Sequence, residues 1–154
     1  NHKPQRREAA RLVQQILKSK PDQGVVTIKP GSTIGDAAEL LSGKRIGTVV
    51  VSPDGKSLAG ILSERDIVRE LGKRGVACMT DSVDDVMTSE IITCTASDSS
   101  DAVLGKMTEG RFRHMPVMDG DAMIGLISIG DVVKAQLAVL AMEKEALEGM
   151  IKGF

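Results

Sequence analysis

Aromatic side chains are almost missing from this chain. Among 154 residues there are two Phe (Phe112 and Phe154), no Trp and no Tyr. Platforms on which the bases of a single strand stack therefore have almost nothing to be built from. Any planar ligand has to lie between aliphatic groups and sulfur. An excess of one charge is missing too: 20 Lys and Arg stand against 21 Asp and Glu, for a net charge of −1. No positive surplus draws phosphate backbones, so nucleic acid is not an expected partner.

Metal ligands are equally scarce. Cys78 and Cys94 make no C-x-x-C pair, and His2 and His114 are the only histidines, so a zinc site lacks its ligands and no metal is expected. Both thiols are expected to be free, as in a reducing cytosol. The most hydrophobic-looking stretch, residues 135–142, falls far short of the ~20 residues that span a bilayer. Residues 1–11 are charged rather than apolar, which argues against a secretory leader. The expectation is a cytoplasmic protein without membrane attachment. With 42% hydrophobic and 27% charged residues the composition is that of an ordinary globular protein. Its length suits one domain or two small, closely packed halves.

What is present is a repeat. Gly60-Ile61-Leu62-Ser63-Glu64-Arg65-Asp66-Ile67 recurs, at one constant offset, as Gly125-Leu126-Ile127-Ser128-Ile129-Gly130-Asp131-Val132. In both copies an apolar run ends in Ser, and Asp follows three residues later. Two copies of one unit predict two equivalent sites with pseudo-two-fold symmetry.

The flanking segments repeat in the same order. Residues 5–19 place Ala9, Leu12, Val13, Ile16 and Leu17 at helical spacing. A strand is predicted at 25–28, a capped helix from Thr33 to about Leu41, a strand at 48–52, a turn at 53–56 and a strand at 58–62. A helix then runs from Ser63 to about Lys73. The second half reads as a short helical entry at 81–87, a strand at 91–94, a helix at 98–108, a strand at 113–118, a turn at 119–121, a strand at 123–127 and a long helix from Ser128 to about Met150. Each half is thus strand, helix, strand, strand, helix. One half alone exposes an apolar sheet face that it cannot cover, and pairing two halves solves that. The predicted class is α+β, with two βαββα repeats and N- and C-terminal helices. The predicted boundaries are 1–19 for the N-terminal helix, 20–76 and 77–135 for the repeats, and 136–154 for the C-terminal extension.

The doubled Ser-x-x-Asp has two readings. It is a capping box, in which Ser63 or Ser128 caps a helix and Asp66 or Asp131 reaches back. It is also an anion- and hydroxyl-binding helix N-terminus whose carboxylate suits the two vicinal hydroxyls of a ribose. On the residues alone both remain open.

The two motifs, each preceded by a hairpin, resemble the hallmark of the CBS domain. Met87-Thr88 ahead of Ile91-Ile92-Thr93 and Arg113-His114-Met115-Pro116-Val117 fit the same family. Over about residues 20–140 the chain resembles a tandem CBS pair (a Bateman module) of the small stand-alone bacterial kind. The resemblance implies adenosine-nucleotide binding in two clefts between the repeats. It puts Asp66 and Asp131 on the ribose hydroxyls, with Ser63 and Ser128 beside the ribose and phosphate. Adenine would lie near Ile46-Gly47-Thr48 in one cleft and Arg113-His114-Met115-Pro116 in the other, with Val25 and Ile92 on its apolar faces. Arg113, His114 and Arg65 are the candidate phosphate cations. Thr88 and Ile129 complete the set. The copies differ: Arg65 stands against Gly130, and the alignment carries Ile46 onto Arg113 and Thr48-Val49 onto Met115-Pro116. The two clefts are therefore not equivalent.

Three function classes follow. The first is a regulatory module sensing AMP, ranked ahead of ATP, ADP and NAD(H), and acting in trans on another protein. The second is a purely structural dimerisation module with empty clefts. The third is an enzyme using Asp84 and Asp85 or Asp98 and Asp101; no nucleophile–base arrangement or glycine-rich phosphate loop supports it, and the chain reads as a non-enzyme. An apolar stripe on the last helix (Val132, Val133, Leu137, Leu140, Ala141, Leu147), together with the resemblance, predicts a homodimer.

Overall fold

In the computed structural model, residues 11–20 and 24–152 are described. The element order is α1 (Val13–Ser19), β1 (Thr27–Ile28), α2 (Ile34–Lys44), β2 (Thr48–Val51), β3 (Gly60–Ser63), α3 (Glu64–Arg74), α4 (Ser100–Gly110), β4 (His114–Asp119), β5 (Ala122–Ser128) and α5 (Ile129–Lys152). Two 3₁₀ segments, Gly75–Thr80 and Val83–Asp85, follow α3. The mixed α+β class is as expected, and the first repeat has the βαββα order in full. The part of the first predicted helix before residue 11 lies outside the described residues.

The chain divides into two compact units. Among the described residues, one contains residues 24–91 and the hairpin tip 120–124; the other contains residues 11–20, 92–119 and 125–152. In the first, β1 pairs parallel with β2, and β2 pairs antiparallel with β3 in the register Thr48↔Ser63 and Val50↔Ile61. Its core joins Ile34, Ala37 and Leu41 of α2 to Val49, Val51, Leu62 and Ile67. In the other, α1, α4 and α5 close over the β4–β5 hairpin. Its core joins Val13, Ile16, Val103, Met107, Met115, Val117, Ile127 and Val132. The first residue named in each motif, Gly60 or Gly125, is closely approached by a neighbouring side chain, most closely at Gly60. A Cβ at Gly60 would run into the Met87 side chain, and one at Gly125 would sit 2.6 Å from a Leu17 methyl. Gly60→Val therefore overpacks the site and lowers unfolding stability by about 1–3 kcal/mol in urea titration. A second substitution, Met87→Ala, should recover part of that loss.

Local geometry fixes how the copies correspond. Arg45 and Arg111 end α2 and α4 in the left-handed conformation, at φ 54° and 56°. The next amides close the same loop, Ile46 to Leu41 O and Phe112 to Met107 O. The first helical amides then return to the strands, Glu64 N to Gly47 O and Ile129 N to Arg113 O, both at 2.8 Å. Gly47, not Ile46, is thus the counterpart of Arg113; Ile46 corresponds to Phe112, and Val49 to Met115.

That register also corrects the strand predicted at 91–94. Val50 N donates to Val26 O in the first copy, but its counterpart is Pro116, which has no N–H. The second copy keeps only Cys94 N to Pro116 O and Met118 N to Cys94 O, and the strand shrinks to a single bridge, Cys94↔Val117. The 3₁₀ stretch Gly75–Thr80 was also not expected; Gly75, at φ 68°, ends α3 but does not end helical winding.

Candidate functional site

Both Ser-x-x-Asp turns are capping boxes. Ser63 N donates to Asp66 Oδ2 at 2.8 Å, and Asp66 N returns to Ser63 Oγ at 3.3 Å. Ser128 N donates to Asp131 Oδ2 at 2.8 Å, and Asp131 N returns to Ser128 Oγ at 3.1 Å. The strand delivers the serine with extended backbone, and the helix presents its first free amides beside a carboxylate.

The two carboxylates are held differently. Asp66 Oδ2 also takes the Ser63 hydroxyl at 3.0 Å, and its Oδ1 accepts from Arg69, an exposed side chain one turn on. Asp131 Oδ2 accepts from Lys20 Nζ at 2.9 Å, and the same ammonium donates to Leu126 O at 2.8 Å. Among the described residues, the Lys20 ammonium and the Ser128 amide both bond Asp131 at Oδ2, so Oδ1 keeps acceptor capacity. Burial raises the Asp131 pKa, but the Ser128 amide, the Lys20 ammonium and the Ser128 hydroxyl together pull it below the ordinary value. The group stays ionised at any physiological pH.

His114 opens β4 in the same neighbourhood. Burial lowers its pKa below 6.5; Lys20 and Arg113 lower it further, and Asp131 opposes them. Arg113 itself is exposed, with its carbonyl fixed by Ile129 N. A groove of 190 Å³ runs past Arg11, Lys20, Asp131 and Lys134. The second turn therefore gathers one ionised carboxylate and several cationic side chains, a set suited to hydroxyl donors and an anion.

The first turn has no such gathering. A hollow of 460 Å³ lies beside Arg45, Ile46, Gly47, Glu64 and Val68. It takes in Ile46 and Gly47 from the candidate set but neither Ser63 nor Asp66. Arg65 is exposed on the first turn of α3, and Gly130 stands at its place in the second copy.

The remaining candidates are scattered in burial. Thr48 is nearly buried, Met115 lies in the core and Pro116 is buried, so these positions offer a ligand chiefly backbone. Val25 and Ile129 are half-buried, and Ile92 is exposed. Thr88 exchanges both backbone hydrogen bonds with Ile61 at 2.9 Å and so belongs to the first unit. Lys20 was missed by sequence reasoning. It is 111 residues from Asp131, and no local pattern links them.

Three of the other carboxylates considered for catalysis have structural partners, two in turns or loops and one between helices. Asp98 Oδ2 accepts from Thr95 N, Asp84 Oδ1 from Gly31 N, and Asp101 from Gln136. Both cysteines are free and buried, and burial pushes the Cys94 thiol up to about 11, far from a reactive thiolate. Among the described residues no group of three or more His, Cys, Asp or Glu is placed to hold a metal, and no helix is long and apolar enough to cross a membrane.

Comparison with known proteins gives the family. The CBS domain model matches residues 13–73 and 83–138. A mitochondrial CBS domain-containing protein of Arabidopsis thaliana is 33% identical over 148 residues, covering 92% of this chain and 72% of that protein. Against a longer CBS protein of the same plant the match covers only 25% of its length. The crystal structure of a CBS-domain containing protein from Agrobacterium tumefaciens superposes with a TM-score of 0.77 at 41% identity, over 82% of this chain and 94% of that one. The CBS domain pair of protein MJ0100, solved with 5′-methylthioadenosine and S-adenosyl-L-methionine, gives 0.69 at 25% identity, over 81% and 94%. With both repeats matched and their turns, hairpins and helix caps in corresponding places, the chain belongs to the CBS-domain family as a tandem pair of CBS repeats.

Proposed function

We propose that this CBS pair is a regulatory module that binds an adenosine nucleotide, with the Ser128–Asp131 turn as its principal site, and signals to another protein in trans. The observation that carries the reading is Asp131: ionised, with Oδ1 open and Lys20, His114 and Arg113 close by. One ribose hydroxyl donates to Oδ1, and the other competes with Lys20 for Oδ2. A phosphate takes up the cationic side chains, which ranks AMP above a phosphate-free adenosine and keeps ATP, ADP and NAD(H) as the further candidates. The ligands of the MJ0100 pair support the adenosine moiety. Asp66, whose Oδ1 is already held by Arg69, makes a weaker second site. Binding regulates only through different affinities for two arrangements of the protein, alone or with its partner.

Isothermal titration with AMP, ATP, ADP, NAD(H) and 5′-methylthioadenosine tests this, with thermal melts alongside. Ligand at ~100 times its Kd adds about 2.7 kcal/mol to apparent stability. No heat and no melting shift at millimolar ligand would sink the proposal.

The site also predicts a pH dependence. His114 is neutral in the free protein at pH 7, because its pKa lies below 6.5. A bound phosphate raises that pKa, so binding takes up a proton. Affinity for AMP should therefore rise as pH falls from 8 toward 6. Adenosine should show no such trend, and His114→Gln should flatten the AMP profile.

A further inference from the structure

Both repeats place an Asp-Gly step in the hairpin ahead of the capping box, and they hold it differently. Asp is followed by Gly twice in this chain, at Asp54-Gly55 and at Asp119-Gly120. Asp-Gly is the step at which a peptide chain rearranges most readily, because glycine has no side chain to keep its amide from the preceding carboxyl group. In the first copy both reacting groups are engaged. Asp54 Oδ1 accepts from the Ser57 amide at 2.7 Å and the Lys56 amide at 2.9 Å, and Oδ2 accepts from the Ser57 hydroxyl at 3.0 Å. The Gly55 amide donates to Ser52 Oγ at 2.9 Å. The bonds to Asp54, led by the Ser57 amide, hold its carboxyl at about 2, so very little neutral acid forms there. In the second copy Asp119 and Gly120 are both exposed. Among the described residues no hydrogen bond reaches the Asp119 carboxylate or leaves the Gly120 amide. Gly120 takes φ 61°, which glycine adopts without strain, so the two-residue turn itself calls for the reactive partner.

We propose that Asp119 is a site of self-modification, at which the folded chain converts to isoaspartate while Asp54 stays intact. The Gly120 nitrogen attacks Cγ of the neutral Asp119 carboxyl group. The N–Cγ bond forms, the carboxyl hydroxyl leaves with the amide proton as water, and a five-membered succinimide closes. Water then opens the ring. Opening at Cγ restores aspartate; opening at the main-chain carbonyl routes the chain through Cβ and leaves a free α-carboxylate. One water leaves and one enters, so mass is unchanged and no oxidant or cofactor is needed. The product has one extra methylene in its main chain. That methylene falls at the step where the chain passes from one compact unit into the hairpin tip of the other, a tip tied to the first hairpin through Met123 N and Lys56 O at 2.8 Å. The free α-carboxylate is the group that an isoaspartyl carboxyl methyltransferase methylates, which gives the modified chain its partner class. The inference is independent of any nucleotide.

The folded full chain is aged at 37 °C and pH 6 in water enriched in oxygen-18, digested with trypsin in ordinary water and read by mass spectrometry. The peptide of residues 114–134 should take up heavy oxygen at Asp119 about 10-fold faster, or more, than the peptide of residues 46–56 does at Asp54, since one pKa unit is a factor of ten in neutral acid. An isoaspartyl methyltransferase with labelled S-adenosylmethionine should then label the aged 114–134 peptide. Asp119→Glu would need a six-membered ring, so it should abolish both signals; the position is exposed and the charge is kept, so folding is not at risk. Asp119→Asn should speed the uptake, with ammonia leaving in place of water. The proposal is overturned if Asp119 takes up no heavy oxygen, or if Asp54 takes it up as fast. It is also overturned if uptake in the 114–134 peptide survives Asp119→Glu, or if Asp119→Asn brings no acceleration.

Discussion

Leu62→Ala and Ile127→Ala should each lower the unfolding free energy by about 2–5 kcal/mol, measured by urea denaturation. The two residues are equivalents in the repeated motif. Both are 0% exposed, on the strand that leads into the capping box, and each sits in the core of its own unit. Removing three methylenes' worth of side chain forfeits their transfer energy and leaves a cavity that flanking residues refill only in part. Around Leu62 those residues are Val49, Val51 and Ile67; around Ile127 they are Met115, Val117 and Val132. Because the substitutions fall in separate clusters, their effects should add to within about 0.5 kcal/mol. Such losses are a large share of the 5–15 kcal/mol by which domains are ordinarily stable, so the double variant should be largely unfolded at 37 °C. A loss below about 1 kcal/mol at either position would mean that its motif strand does not carry the core.

The motif was legible because its physics is local. A serine at a strand end, a carboxylate three residues on and a glycine pinned by Met87 or Leu17 act within a few residues of chain or one packing contact. The capping boxes, both hairpins and the start of α3 followed from that spacing. Alignment of the copies slipped by one residue at Ile46 because β2 is buried on both faces, so it shows no alternation to lock the register. The left-handed caps at Arg45 and Arg111 settle it, together with the bonds from Glu64 N to Gly47 O and from Ile129 N to Arg113 O. The lost strand at 91–94 depends on one missing N–H at Pro116, a residue in another strand. Lys20 illustrates the general limit. A surface lysine after a short helix looks like any other, and its role appears only when folding sets it 2.9 Å from Asp131. Those long-range pairs make the second turn unlike the first, although the two motifs read almost alike.

Asp131→Ala should weaken AMP binding by about 100-fold or more in isothermal titration. A carboxylate that accepts two ribose hydroxyls makes two charge-assisted bonds, each worth about 1.5–3 kcal/mol, and every 1.4 kcal/mol is a factor of ten in affinity. The substitution also removes half of a capping box and the partner of Lys20, so some stability goes with it, on the order of 1 kcal/mol from the cap. That structural loss has to be separated from the loss of recognition, and the ligand can do so. 2′,3′-Dideoxyadenosine monophosphate lacks the hydroxyls that Asp131 is assigned to hold. It should bind the wild type about as weakly as AMP binds the variant, and it should lose little more when Asp131 is replaced. Lys20→Met gives the complementary arm: it keeps the carboxylate, frees Oδ2 and removes a cation, so it should strengthen adenosine while weakening AMP. Asp66→Ala should cost AMP far less, because its Oδ1 is already committed to Arg69. If Asp131→Ala weakens AMP and the dideoxy analogue by the same factor, the carboxylate supports the turn without touching the ribose. The site assignment at Ser128–Asp131 would then have to be given up.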